Sequence, residues 1–208
     1  MTNVANAGIG SSSGDLRSRA DEEQRAVPVT PGQPDMWVLV LFEALIFSSY
    51  FVVYMIWRAR NPVLYLQAQS HLRPEFGLVN TLMLLASSWS IARCVNRARA
   101  GDYNAALRNV FLTLLLGMIF SASKLYEWSI EMHQGMYFGT NDFFTFYYFL
   151  TGIHLLHVLM GYVVLGVVVY QLWSPARRSQ EIIETGATYW HMVDFLWVII
   201  FALLYVMR

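Results

Sequence analysis

Seven ionisable residues stand inside long apolar runs: Glu43, Lys124, Glu127, His154, His157, His191 and Asp194. An ionisable group in hydrocarbon costs a few kcal/mol on insertion scales, so each needs a partner or a task. Glu43 lies about 10 Å from the near end of its run by helix rise. At that depth its carboxyl must be protonated or hydrogen-bonded, either to His154, a mid-depth basic group on another run, or to a serine or backbone carbonyl. Lys124 and Glu127 are three apart and share a helix face, which predicts an interfacial ion pair with the lysine reaching toward the headgroups. His154 and His157 share a face on one run, as do His191 and Asp194 on another. Zinc, di-iron or haem ligation would need groups converging at one depth. His191 stands about one helical turn from its membrane boundary while His154 is near the middle, so no metal or haem is expected on this chain. The histidines read instead as hydrogen-bonded locks between helices. Cys94, the single cysteine, makes no internal disulfide and no multi-cysteine centre.

The elements that carry these residues follow from composition. Apolar residues make up 56% of the 208, charged residues only 13%, and mean hydropathy is +0.41. A soluble domain carries about 25% charged residues, so most of this chain has lipid as its solvent. Fourteen basic residues balance fourteen acidic ones, which argues against a nucleic-acid partner. Residues 1–34, polar and closed by Pro28, Pro31 and Pro34, read as a disordered cytoplasmic tail, and residues 35–208 as a transmembrane domain. The tail lacks the basic start and apolar core of a secretory signal.

A hydrocarbon layer about 30 Å thick needs about 20 helical residues. Five runs qualify, near Met36–Trp57, Phe76–Val95, Asn109–Ile130, Phe143–Tyr170 and Ala187–Met207. They are continuously apolar rather than alternating, so the fold class is all-α, a polytopic bundle of five transmembrane helices. The fourth run exceeds the need and is expected to tilt or to begin in the interface at Phe143, Phe144, Phe146, Tyr147 and Tyr148. Trp57, Trp173 and Trp190 read as interfacial anchors. Nine arginines fall on the side of the tail and even-numbered loops against four opposite, which predicts a cytoplasmic amino terminus and an external Arg208. Gly117 with Ser121, Ser87 with Ser88, and Gly152, Gly161 and Gly166 predict close helix contacts. There is no internal repeat of the kind that marks many transporters, although a stand-alone transporter or redox protein is the reading that competes from another class.

Three stretches, in order and spacing, resemble the subunit III family of haem-copper oxidases. Phe149 through Val158, containing Thr151, Gly152, His154 and His157, is similar to the family's Thr-Gly-Phe-His-Gly-Xaa-His-Val pattern. Tyr189 through Trp197 is set out like its Tyr-Trp-His-Phe-Val-Asp-Xaa-Val-Trp run, and Tyr126, Glu127 and Trp128 resemble its Tyr-Glu-Tyr segment. Glu43 falls where the family has an intramembrane glutamate. The resemblance implies a five-helix form of a bundle that has seven helices in longer members, a multi-pass protein of the bacterial inner membrane. It also implies an accessory subunit without haem or copper of its own, packed among membrane lipids against a catalytic subunit I. That partner would hold the haem with copper or iron, and this chain would support its proton uptake and protect it during turnover. Glu43, Glu127, His154, His157, His191 and Asp194 would then be polar locks or support for proton uptake, with no catalytic residue among them. Ile153 and Leu155 depart from the family pattern, and the run from Phe143 through Val158 resembles its denitrification-associated branch, so a nitric oxide reductase is the alternative client to an oxygen-reducing cytochrome c oxidase.

Overall fold

A computed structural model describes residues 33–175 and 178–207, and the expectation of a disordered tail falls outside them. All regular structure among the described residues is helical: α1 Pro34–Arg60, α2 Pro62–Gln69, α3 Pro74–Arg99, α4 Tyr103–His133, α5 Asp142–Trp173 and α6 Gln180–Phe201, continued by a π turn over Ala202–Val206. Five are long and apolar enough to span a membrane. The helices outrun the apolar runs because hydropathy marks only the hydrocarbon section, whereas a helix ends where its backbone is capped. Proline opens α1, α2 and α3 at their first turns, where a missing N–H costs nothing. Asp102, Asn141 and Ser179 cap α4, α5 and α6 by accepting from Ala105, Phe144 and Ile182 N–H. Gly101 and Gly135 follow α3 and α4 at φ 77° and 83°. There the Asp102 and Met136 N–H groups return to the Arg97 and Glu131 carbonyls, a C-terminal closure that glycine makes without steric cost.

Helices α3 and α4 form an antiparallel hairpin, α6 packs on α3 and α5, and α4 packs on α5. Helix α6 is the hub, with 61% of its most apolar stretch buried, while α1 leans on α5 and α6 and buries 6% of its own. Trp190 ties the hub together. Its ring lies against Gly117 of α4 and Gly161 of α5, where an added Cβ would sit 2.9 Å from ring atoms in each case. Its Nε1–H donates to Ser87 Oγ on α3 at 2.9 Å. The two glycines therefore serve the close packing expected of them, but Trp190 is wholly buried rather than interfacial. Trp57 and Trp173 remain exposed near helix ends.

One further expectation is corrected. The segment between α1 and α3 contains the two-turn helix α2, whose Tyr65 packs edge-on against Tyr54 and Phe143. With that cover in place Phe143, Phe144, Tyr147 and Tyr148 are buried within the bundle rather than exposed as an aromatic belt, because the surplus length of α5 runs under α2. The π turn frees carbonyls that an α-helix would use internally. Side chains take them up: Tyr54 donates to Leu203 O at 3.1 Å and Gln69 to Leu204 O at 2.8 Å, while Arg58 donates to the Met207 carbonyl just past the turn at 2.7 Å.

Candidate functional site

The apolar walls of α1 and α5 place Glu43 opposite His157, with Glu43 Oε2 3.2 Å from His157 Nε2 and each side chain about one-fifth exposed. His157 Nδ1 lies 2.9 Å from the Ile153 carbonyl. A carbonyl only accepts, so Nδ1 carries a proton. The contact between Nε2 and the carboxyl then holds one further proton, on the carboxyl with a neutral ring or on the ring with a carboxylate. The pair is a carboxyl–imidazole contact between α1 and α5. It opens on a cavity of about 480 Å³ whose walls, Met36, Leu39, Leu156, Met160 and Val164, are apolar, with Tyr189 beside His157. Phe47 packs edge-on to the imidazole at 5.3 Å, and Tyr189 Oη donates to His157 O at 3.3 Å.

The expected partner, His154, is elsewhere. It is fully buried between Phe120 and Trp197, with ring centroids 5.7 and 5.2 Å away. Among the described residues neither of its nitrogens has a hydrogen-bond partner. Three residues on a helix turn the side chain through about 300°, so positions 154 and 157 diverge by about 60°. That suffices for one to face the α4–α6 core and the other α1.

Lys124 and Glu127 do pair, at 3.0 Å, but inside the bundle and not at the interface. Lys124 is the chain's one lysine, and its three N–H donors are all used, on Glu127 Oε2, Tyr147 Oη at 3.1 Å and Tyr205 Oη at 2.7 Å. Tyr205 Oη donates in turn to Glu127 Oε1 at 2.5 Å. One ion pair thereby links α4, α5 and the π turn. Snorkelling fails as an expectation because partners for all three donors lie within the protein. Glu131 lies in the last turns of α4 and is buried, with its Oε2 unpartnered among the described residues.

His191 Nδ1 lies 2.6 Å from Ser88 Oγ, a lock between α6 and α3. It also lines a cavity of about 340 Å³ bordered by Trp37, Asn96 and the Arg99–Glu184 ion pair, whose N···O distance is 2.9 Å. Asp194, one turn deeper, is buried beside Ser87 and Ser88. Neither of its oxygens reaches hydrogen-bonding geometry among the described residues. The expected His191–Asp194 face thus exists, but only His191 makes its lock. Sequence reasoning missed Tyr147, Tyr205 and Ser88 as partners. The one available signal was that hydroxyls are the remaining polar groups at those depths. Among the described residues no three His, Cys, Asp or Glu side chains are gathered as a metal ion would require.

Residues 24–208 match the family described as cytochrome c oxidase subunit III. The chain is 34% identical over 185 residues to cytochrome c oxidase subunit 3 of Synechocystis sp., an overlap covering 85% of this chain and 78% of that one. It is 29% identical over 170 residues to the probable cytochrome c oxidase subunit 3 of Nocardia farcinica, covering 80% and 83%. Over 181 residues it is 29% identical to quinol oxidase subunit 3 of Bacillus spizizenii, covering 82% and 84%. These relatives lend no support to the nitric oxide reductase alternative.

Proposed function

The chain belongs to the cytochrome c oxidase subunit III family and is an accessory subunit of a haem-copper oxidase; from that premise we propose that it packs against the catalytic subunit I and supports that subunit's proton uptake and stability. In this reading the partner carries the haem and copper, and this multi-pass membrane chain supplies rigid helices and one movable proton. The Glu43–His157 pair carries the proposal, because it can hold a proton on either group without net change in its hydrogen bonding. The Lys124–Glu127–Tyr147–Tyr205 cluster and the His191–Ser88 contact act as locks that keep α3, α4, α5 and α6 in register. Glu127, His154 and Asp194 stay structural in this proposal, His154 as packing and the other two as buried polar groups of the bundle. The orientation follows from the arginine distribution, with the amino terminus in the cytoplasm of a bacterial cell and the carboxyl end outside.

The test compares the purified complex with and without this chain. Absorption spectra of the metal centres should be unchanged on its removal, while oxygen uptake should decay faster during sustained turnover and recover when the chain is restored. Loss of haem or copper signals on removal would refute the accessory role assigned to it.

A further inference from the structure

The hairpin of α3 and α4 gathers positive charge at one membrane surface that no lock described above uses. Arg93 and Arg97 of α3 and Arg108 of α4 line a cavity of about 260 Å³ together with Asp102, Asn109 and Leu112. The one carboxylate there is shared between a helix cap and a single arginine. Asp102 caps the Ala105 N–H at 3.1 Å and stands 3.7 Å from Arg97. Among the described residues Arg93 and Arg108 have no carboxylate partner. Three guanidinium groups against one aspartate leave a site short of negative charge.

The surface leading into that site is apolar and ordered. Helix α3 exposes Leu78, Leu82, Leu85 and Trp89 at spacings of four, three and four, and one further step of four arrives at Arg93. Helix α4 does the same from its other end, with Arg108 followed by Leu112, Leu115 and Ile119, all exposed. From Leu82 to Arg93 the helix rises about 16 Å, the depth of one leaflet of a hydrocarbon core about 30 Å thick. Trp89 is 61% exposed and sits under the Arg93 guanidinium, 4.7 Å from its carbon. That stacking holds the arginine at the boundary between the apolar rows and the charged cavity.

We infer that Arg93, Arg97 and Arg108 form a binding site for the phosphate of an anionic phospholipid whose acyl chains lie along the exposed rows of α3 and α4. The chemistry is that of a guanidinium group, whose planar N–H donors match phosphate oxygens in pairs. Basic pockets between transmembrane helices favour anionic headgroups for the same reason. The apolar rows separate this occupant from free phosphate, which would gain nothing from them. The site rests on the spanning helices and on the arginines alone, and it stands whether or not the oxidase reading of Glu43 holds.

The experiment reconstitutes the full chain in phosphatidylcholine nanodiscs doped with brominated phosphatidylglycerol or, in a matched series, brominated phosphatidylcholine. Bromine quenches tryptophan fluorescence on contact, and Trp89 is the reporter. Phosphatidylglycerol should quench in excess of phosphatidylcholine, and the excess should vanish in Trp89→Phe. Each arginine near the surface contributes about fivefold to anionic-lipid preference, so Arg93→Gln/Arg108→Gln should need about 30-fold more phosphatidylglycerol for the same quenching. Arg93→Lys/Arg108→Lys should keep most of the preference. Equal quenching by the two lipids, an excess that survives Trp89→Phe or the glutamine pair, or removal of the excess by inorganic phosphate would overturn the lipid site. If the glutamine pair fails to insert, the Trp89→Phe comparison decides the question by itself.

Discussion

At the scale of single residues, the chain's buried charges divide by how completely they are satisfied. Lys124 spends all three donors, and its partner Glu127 is enclosed with it. Lys124→Met should therefore destabilise the protein by about 3–5 kcal/mol, because it strands a buried carboxylate. Lys124→Met/Glu127→Leu should recover most of that loss in thermal unfolding in detergent, since a buried pair replaced by apolar side chains is close to neutral. Glu43 and His157 are different, being partly exposed to an apolar cavity and joined by one contact at 3.2 Å. A double-mutant cycle on Glu43→Ala and His157→Ala should give a coupling of about 0.6 kcal/mol, the usual size of a hydrogen bond inside a membrane protein. The same cycle with His154→Ala should be additive, and coupling there instead would mean that α5 is rotated from the orientation described.

At the scale of elements, α6 is held by small residues that let it approach its neighbours. Gly161→Ala would drive a methyl group to within 2.9 Å of the Trp190 ring, which is fully buried and anchored by Ser87. It should cost about 1–3 kcal/mol by overpacking. Gly166→Ala, with open space around it, should be neutral or slightly stabilising, since alanine favours helix. A comparison of the two unfolding temperatures isolates packing from helix propensity. Spacing of small residues along α5 suggested helix contacts at Gly152, Gly161 and Gly166 alike. Only the three-dimensional arrangement separates the glycine under Trp190 from the one facing open space.

At the scale of the whole molecule, the arginine asymmetry makes a prediction about direction. A periplasmic reporter enzyme fused after Met207 should be active, and one fused within the Gly101 turn inactive, if the amino terminus is cytoplasmic. The reverse pattern would invert the proposed orientation without disturbing the bundle. Arg58 and Arg60, which sit on the side with fewer arginines, do not weaken that expectation equally. Arg58 is tied to the Met207 carbonyl and closes the π turn, so its position follows from capping the fold as well as from topology.

Five spans, an all-helical bundle and the family were legible from the amino-acid order, because apolar length and motif spacing are properties of a line. The partners were not. Whether His154 or His157 meets Glu43 depends on how α5 is rotated about its axis, and continuous hydrophobicity leaves that rotation unmarked. Whether Lys124 reaches for water or for Tyr147 and Tyr205 depends on what the π turn and α5 bring beside it from residues far along the chain. Burial in lipid makes every helix apolar all round, so inside and outside look alike until the helices are packed.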